Sequence, residues 1–177
     1  DDSERAVKDG GLKFPLILKA SSGSQTGVGV IIIESMRSLH ATVQMLTFLK
    51  PYVDLVVQEY IKIDYDIRVL VSNGEVIASM KRNVMSDDIR SNASLGAKTE
   101  SIELTDMEKE TSLKVAKLVD GDLVGVDLLP AKNRETEKPY VLEVNGTPGL
   151  GGIEEVTKGK SVTQEIFKTY LNRENWR

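Results

Sequence analysis

Three residues with oxygen-bearing side chains lie in two apolar segments that follow each other along the chain. Asp127 lies in the run Val-Gly-Val-Asp-Leu-Leu, and Glu143 and Asn145 lie in Val-Leu-Glu-Val-Asn-Gly. Because side chains alternate along a strand, Glu143 and Asn145 are expected to leave the same face. Carboxylate and amide oxygens suit Mg²⁺, which takes its other ligands from water and phosphates. The alternative interpretation is that these are unrelated polar residues at strand ends that cap turns.

A glycine-rich turn near the start of the chain has the composition of a phosphate-binding loop. An apolar segment ends at Lys19, and Ala-Ser-Ser-Gly-Ser-Gln-Thr-Gly-Val-Gly leads from it into the apolar run 30–33. Backbone N–H groups of such a turn converge on an anion, and the lysine adds positive charge. The helix that follows a Walker A loop or a dinucleotide-binding fingerprint is not indicated here. The pattern predicts a β-hairpin flap over residues 23–29, and the alternative is an ordinary flexible hairpin.

The composition excludes several kinds of site and partner. The 177 residues contain no cysteine and a single histidine, His40, which is expected at the surface or boundary of a helix. Disulfides, thiol nucleophiles and cysteine-ligated zinc are therefore excluded, and histidine-based triads are not expected. The net charge of −4 gives no electrostatic reason to expect nucleic-acid binding. No apolar run approaches the roughly 20 residues that span a membrane, so we expect a soluble protein.

Hydrophobic periodicity and turn signals give the elements that must position these residues. Residues 1–13 are expected to form a fraying helix and loop. Strands are predicted at about 15–20, 28–33, 54–59, 67–71 and 76–81 and around Asp127 and Glu143, and helices at about 36–49, 105–119 and 162–171. Asn73-Gly74 predicts a tight hairpin, and Thr105-Asp-Met-Glu108 is a capping-box pattern. Segments 84–101 and 131–138 are predicted to be polar, solvated connections.

The motifs occur in an order that resembles the ATP-grasp superfamily. They are the lysine-ended strand with its glycine flap, Gln58-Glu-Tyr-Ile61, Asp66-x-Arg, Arg90-Ser-Asn92, Gly-Val-Asp127 and Glu143-Val-Asn-x-x-Pro-Gly. More narrowly, the chain resembles the RimK group, whose ligases add glutamate or other amino acids to a protein or peptide carboxylate. The similarity runs from about Lys13 to Leu171.

The resemblance implies an α+β ATP-grasp fold in which two subdomains hold a nucleotide between them. Residues 1–59 would form the lid subdomain with the flap, and residues 60–177 the carboxy-terminal subdomain with the metal site. The amino-terminal α/β domain of the family would precede residue 1, so the chain is expected to be a piece of a longer enzyme, a partner of another polypeptide or a reduced relative.

The resemblance also implies residues that bind nucleotide and metal. The residues assigned to the nucleotide are Lys19, Gly27, Gln58, Glu59, Tyr60, Ile61, Asp66, Arg82 and Ser91. Of these, Lys19 and the flap would reach the phosphates, residues 58–61 would lie at the adenine end, and Glu59 or Asp66 would take the ribose hydroxyls. Asp127, Glu143 and Asn145 would hold Mg²⁺, with Mn²⁺ as an alternative. Lys81 is either a helper of the phosphate site or a solvated residue at a strand end.

Catalysis is assigned by the resemblance to Arg90 and Asn92, near the γ-phosphate of ATP and the acceptor carboxylate. The implied reaction has two steps. A substrate carboxylate attacks the γ-phosphate to give an acyl phosphate and ADP, and an amine then displaces phosphate to form an amide. The segment after Asn92 reads Ala-Ser-Leu-Gly-Ala-Lys, in place of the basic residue and paired glycines usual in RimK-like enzymes.

The expected activity is thus that of a cytoplasmic, ATP- and Mg²⁺-dependent carboxylate–amine ligase. Its partners would be ATP, a peptide or protein carboxylate and an amino acid, without nucleic acid or membrane, and it could form a homo-oligomer. The alternative is a nucleotide-binding ATP-grasp fragment without independent ligase activity. A third option is a dipeptide or peptidoglycan-type ligase, against which the Arg-Ser-Asn segment argues.

Overall fold

The computed structural model describes residues 2–20, 29–84, 98–157 and 159–171 of the chain. The chain divides into two compact units, residues 1–62 and 63–177, whereas the sequence analysis placed the boundary after residue 59. None of the helices in the described ranges has the length and apolar content needed to cross a lipid bilayer.

The first unit is a three-stranded antiparallel sheet with two helices. Its elements are α1 (Asp2–Asp9), β1 (Leu16–Ala20), β2 (Val30–Ile33), α2 (Met36–Leu49) and β3 (Leu55–Glu59), and the strand order is β2-β1-β3. Leu16 and Leu18 of β1 and Ile33 of β2 are buried together with Leu39 of α2 and Val7 of α1. The alternation of apolar residues along β1 therefore directs one face of the sheet onto the helices.

The second unit is built on a five-stranded sheet. Its elements are β4 (Tyr65–Ser72), β5 (Glu75–Asn83), β6 (Thr99–Ser101), α3 (Asp106–Leu118), β7 (Leu123–Leu129), β8 (Tyr140–Asn145), α4 (Gly151–Val156) and α5 (Val162–Leu171). The strand order is β6-β5-β4-β7-β8, and every neighbouring pair is antiparallel. The α+β class predicted from the sequence is confirmed by these two antiparallel sheets and their helices.

The five-stranded sheet has an apolar layer on each face. One face packs against α3 through the buried residues Ile67, Val69, Val71, Ala116, Val124, Val126 and Leu128. The other face packs against α4 and α5 through Leu70, Ala78, Met80, Ile153, Val162 and Ile166. Charged residues continue the second face beyond Leu70 and Met80, because side chains two positions apart on a strand share a face.

Two local sequence signals form the structures that they predict. Asn73 and Gly74 have φ values of +49° and +78°, as a tight hairpin turn between β4 and β5 requires. At the start of α3, the Thr105 hydroxyl accepts from the Glu108 backbone N–H, and the Glu108 carboxylate accepts from the Thr105 N–H. Both features fix the ends of elements that carry the second unit's core.

Three connecting segments contain structure that the sequence did not indicate. The segment predicted as a polar connection over 84–101 contains β6 at its end, because Thr99–Ser101 pairs with Met80–Arg82. The glycine-rich segment after Asn145 contains the short helix α4, whose Ile153 is buried against the sheet. The connection over 131–138 is not wholly solvated, because Arg134 donates hydrogen bonds to the buried Glu108.

Candidate functional site

The predicted metal ligands come together on two paired strands. Asp127 of β7 is the direct cross-strand partner of Glu143 of β8, and Asn145 is the partner of Gly125. A β-bulge follows Asp127 at the next residue, where Leu128 pairs with Val141. Bulges are frequent beside functional sites because they redirect the neighbouring side chains. The prediction that the three donors lie on neighbouring strands is confirmed.

Asp127 is held from the opposite side by an arginine of β4. Arg68 is its cross-strand partner there. The Arg68 Nε donates to Asp127 Oδ1 at 2.7 Å, and the Arg68 Nη2 donates to Oδ2 at 2.6 Å. This two-pronged, charge-assisted geometry is the strongest form of an arginine–carboxylate contact. Asp127 therefore lies between a guanidinium on β4 and a carboxylate on β8.

A second arginine joins the same cluster from β5. Arg82 Nε and Nη2 donate to the two oxygens of Asp66 at 2.6 and 2.7 Å, and Arg82 Nη2 also lies 3.0 Å from Asp127 Oδ2. The side chains of Arg82 and Asp66 are only 4% and 1% exposed. Burial acts to lower the pKa of Arg82, but the hydrogen bonds that Arg82 donates to Asp66 and the charge of Asp127 outweigh it, so that pKa is raised. Arg82 is accordingly a permanent cation in the cluster.

The burial and mutual hydrogen bonds of Asp66 and Arg82 limit the nucleotide-binding roles that the resemblance assigned to them. Both oxygens of Asp66 accept from Arg82, and the residue is almost wholly buried. A carboxylate in that position has little surface to offer a ribose hydroxyl, whereas Glu59, the other candidate, is exposed. The Arg82 guanidinium is likewise committed to two aspartates. The structure thus places this pair inside the sheet layer that supports Asp127.

Lys81 lies on the opposite face of the sheet from Arg82. Its Nζ lies 4.7 Å from the centre of the Tyr65 ring and 3.9 Å from a carboxylate oxygen of Glu100. Neighbouring residues of a strand leave opposite faces, so Lys81 is directed away from Asp127. Of the two interpretations of Lys81, the structure favours the solvated residue.

Glu143 and Asn145 complete the donor set with different environments. Glu143 is exposed, whereas the Nδ2 atom of Asn145 is buried and has no hydrogen-bond partner among the described residues. The oxygen and nitrogen of an asparagine amide are assigned from their surroundings. If the Asn145 amide is turned by 180°, its oxygen takes the buried position that has no partner, and a bound cation there would be its ligand partner. The described ranges hold no cluster of three or more histidine, cysteine, aspartate or glutamate residues. Two carboxylates and one amide nevertheless fit Mg²⁺, which keeps ligands from water and phosphate.

Gly125 allows the loop after Asn145 to pack closely against β7. A β-carbon on Gly125 would lie 2.9 Å from the Cβ of Pro148 and 3.8 Å from both the Arg68 Nε and the Asn145 Cβ. The Pro148 contact would be closer than van der Waals packing allows. Glycine at this position thus lets Pro148 pack directly over β7, beside the arginine that holds Asp127.

Several residues predicted to bind the nucleotide, among them Lys19 and Gln58, lie in the first unit. Lys19 pairs with Val30 and Val56 and is half-buried, on the sheet face opposite the buried Leu18. Gln58 pairs with Ile17 and shares the Lys19 face. The two strands that flank the predicted flap, β1 and β2, pair antiparallel, as the predicted hairpin requires.

Other predicted residues lie at the end of β3 or outside the described ranges. Glu59 and Tyr60 close the strand, where the Tyr60 N–H donates to the Pro15 carbonyl at 3.3 Å, and Ile61 follows. Gly27 and the catalytic segment Arg90, Ser91 and Asn92 lie outside the described residues, and their roles stay predictions.

Arg68 is the residue that sequence reasoning missed. It appeared only as the last letter of the Asp-x-Arg motif and received no role. A usable signal was present, because Asp66 and Arg68 are charged residues two positions apart in a strand whose other residues are mostly apolar. That spacing puts both charges on one face of a largely buried strand, where charges need partners.

The sequence is similar to a family model and to named proteins. A family model described as a RimK-like ATP-grasp domain matches residues 1–169. A protein named probable alpha-L-glutamate ligase from Methanococcoides burtonii is 37% identical over 170 residues, covering 95% of this chain and 54% of that protein. A protein of the same name from Coxiella burnetii is 40% identical over 146 residues, covering 81% and 46%. The chain spans about half the length of the curated relatives it matches.

The fold is shared with solved structures. The ATP-grasp ligase PsnB, complexed with minimal precursor, Mg and ADP, aligns with a TM-score of 0.67 and 20% identity. The alignment covers 95% of this chain and 48% of PsnB. The likeness concerns the fold, and it confirms the ATP-grasp architecture that the motif order predicted.

Proposed function

This chain belongs to the RimK-like ATP-grasp family, and we propose on that basis that it is the catalytic domain of an ATP- and Mg²⁺-dependent carboxylate–amine ligase. The acceptor is a carboxylate of a peptide or protein, and the donor is an amino acid such as glutamate. Support for the donor comes from the relatives named probable alpha-L-glutamate ligase. Support for a peptide acceptor comes from PsnB, which was solved with a precursor. A cytoplasmic location is part of the same proposal, because the reaction would consume ATP.

The observation that carries this proposal is the direct opposition of Asp127 and Glu143 across β7 and β8. Two carboxylates facing each other in a sheet repel. Arg68 and Arg82 offset the charge of Asp127, so the negative charge that remains to attract a cation is that of Glu143. Asn145, two residues after Glu143 on β8, adds a neutral oxygen ligand on the same face. A site of this composition suits a hard divalent cation that also binds phosphate oxygens.

The proposal gives separate roles to the residues that would bind the metal, the nucleotide and the acceptor. Asp127, Glu143 and Asn145 would hold Mg²⁺, or Mn²⁺ in its place, and the bound ion supplies neutralisation of the phosphate charge. Lys19 would contribute positive charge toward the phosphates, and Gln58, Glu59, Tyr60 and Ile61 would contact the nucleoside. Arg90 and Asn92 would orient the acceptor carboxylate, with Ser91 beside them. Catalysis in this class rests on positioning and charge stabilisation, which agrees with a chain that lacks cysteine.

The experiment that tests the proposal is calorimetric titration of the 177-residue chain with a non-hydrolysable ATP analogue, with Mg²⁺ and with EDTA. We expect binding that requires the metal. Release of ADP from ATP would then be measured with glutamate and peptides that end in a free carboxylate. We expect turnover only when acceptor and amine are both present.

Matched variants make the assignment specific. Glu143→Gln is expected to abolish the metal-dependent nucleotide binding, whereas Glu135→Gln, which changes an exposed glutamate of the β7–β8 connection, leaves that binding unchanged. Lys19→Met is expected to weaken nucleotide binding more than Lys132→Met, an exposed lysine of the same connection. Equal binding by both members of each pair would contradict the assigned roles.

A second candidate function is favoured by the coverage of the relatives. Because the chain spans about half of their length, it could bind nucleotide and metal without completing the ligase reaction. Metal-dependent binding without ADP release for any acceptor and amine pair would support this nucleotide-binding role. Absence of binding in a folded sample would contradict both candidates for this chain alone.

A further inference from the structure

The two oxygens of Asp127 are engaged unequally by the arginines around them. Oδ2 is 2.6 Å from Arg68 Nη2 and 3.0 Å from Arg82 Nη2, whereas Oδ1 accepts from Arg68 Nε alone within the described part of the chain. A carboxylate oxygen has two lone-pair positions. Oδ2 is therefore fully used, and Oδ1 keeps one position for another partner.

The two arginines differ in how they are themselves held. Arg82 is fixed by its fork onto Asp66 and is 4% exposed, so it belongs to the buried layer of the sheet. Arg68 is 15% exposed, and among the described residues its guanidinium donates hydrogen bonds to Asp127 alone. Arg68 is thus the member of the cluster whose role is centred on Asp127.

The charges of the cluster also balance. Arg68 and Arg82 together offset Asp66 and Asp127, which leaves Glu143 as the uncompensated carboxylate beside them. Without the guanidiniums, Asp127 would face Glu143 as a like charge across the sheet. The arginines therefore offset the charge of Asp127 and hold its carboxylate in place before any cation arrives.

We propose that Arg68 is a positioning residue of the metal site, which together with Arg82 holds Oδ2 of Asp127 and leaves Oδ1 as the oxygen that coordinates the cation. This inference rests on the proposed function for the identity of the cation. It assigns Asp127 a single coordinating oxygen, and it gives a function to the arginine of the Asp-x-Arg motif. Groups that orient metal ligands typically change metal affinity by about tenfold to a hundredfold when they are removed.

The test uses Arg68→Met, which keeps the bulk and removes the charged fork, and Arg68→Lys, which keeps the charge without the fork. Lys81→Met is the matched control, because it removes a cation from the opposite face of the same sheet. Each protein is titrated with Mg²⁺ at saturating ATP analogue, and with the analogue alone in EDTA. We expect Arg68→Met to raise the Kd for Mg²⁺ by about tenfold or more, with a smaller rise in Arg68→Lys. The control and the EDTA titrations should not change.

Other results would overturn the proposal. Unchanged or tighter Mg²⁺ binding in Arg68→Met would mean that the arginine does not orient Asp127 or that it competes with the cation. An equal loss of nucleotide affinity in EDTA would mean that Arg68 contacts the nucleotide directly. If Arg68→Met does not fold, Mg²⁺ binding by Arg68→Lys as tight as in the unchanged protein would overturn it.

A second measurement separates this inference from the proposed function. Crystal structures of the metal-free protein and of Arg68→Lys would compare the position of the Asp127 carboxylate. We expect a single position in the former and a rotated or divided one in the latter, and the same single position in both would contradict a positioning role. If the unchanged protein shows no metal-dependent binding, the proposed function fails, and these crystal structures still decide whether Arg68 positions Asp127.

Discussion

Arg134 and Glu108 form a two-pronged ion pair that ties the β7–β8 connection to the first turn of α3. Arg134 Nε and Nη2 each donate to a Glu108 carboxylate oxygen at 2.8 Å, and Nη2 also donates to the Glu103 carbonyl at 2.8 Å. Glu108 is 1% exposed. The hydrogen bonds that Arg134 donates to the Glu108 carboxylate raise the pKa of Arg134. The connection between the two strands that carry Asp127 and Glu143 is therefore anchored at its middle.

Removal of this anchor should destabilise the second unit. Arg134→Met leaves the buried Glu108 carboxylate without its guanidinium, and we expect a loss of about 1.5–3 kcal/mol in the free energy of unfolding. Urea unfolding would measure it. Lys132→Met, an exposed change in the same connection, should alter stability by less than about 0.5 kcal/mol. Equal stability of the two variants would show that the ion pair contributes nothing.

The elements were predictable where the signal is local. The turn at Asn73-Gly74 and the box between Thr105 and Glu108 depend on residues at most three positions apart, so their chemistry is visible in the sequence. Strand β6 is short and lies in a polar segment, so neither periodicity nor length indicated it. Helix α4 is stabilised by burial of Ile153, which depends on a sheet formed elsewhere in the chain.

The pairing of the two strands that carry the proposed metal ligands was predictable, and the residues that support Asp127 were not. Asp127 and Glu143 stand in consecutive strands joined by residues 130–139, so their pairing follows from a hairpin-like topology. Arg68 meets Asp127 only because β4 lies between β5 and β7, and these partners are 59 positions apart in sequence. A non-local strand order of this kind has no local sequence signal.

Loss of the buried pair between Asp66 and Arg82 should be costly. Asp66→Asn removes the carboxylate that holds Arg82 within the sheet layer, and breaking a buried ion pair in this way typically costs about 3–5 kcal/mol. Glu100→Gln is the comparison, because it breaks pairs with Lys81 and Lys98 at a solvent-accessible position, where ion pairs contribute little to stability. Chemical unfolding of both variants measures the difference. A cost below that of Glu100→Gln would mean that the buried pair does not stabilise the sheet.

Removing the charge of Asp127 and removing that of Glu143, the two carboxylates of the proposed metal site, should have different effects on stability. The sequence alone suggested that removing either one would leave folding nearly unchanged. The structure predicts that Asp127→Asn destabilises the protein by about 3–5 kcal/mol, because Arg68 and Arg82 lose their shared partner. Glu143→Gln, at an exposed position, should stay within about 0.5 kcal/mol.

Both changes should also remove metal-dependent nucleotide binding, so unfolding and calorimetry together distinguish a ligand from a structural residue. Asp127 would then be both a metal ligand and a structural residue, and Glu143 would be a metal ligand alone. Equal stability of the two variants would mean that the guanidiniums around Asp127 do not depend on its charge.

The close approach of Pro148 to Gly125 predicts that this glycine does not tolerate a side chain. In Gly125→Val the new Cβ would meet the Pro148 ring at 2.9 Å, so the loop after Asn145 must move away from β7. We expect a loss of about 1–3 kcal/mol from overpacking, measured by urea unfolding, together with weaker Mg²⁺ binding because Asn145 and Arg68 border the same space. Gly146→Ala is the control, since a Cβ there meets nothing within 4 Å and its φ is not positive. Metal binding that survives in Gly125→Val would show that the position of the Pro148 loop does not matter to the donor set.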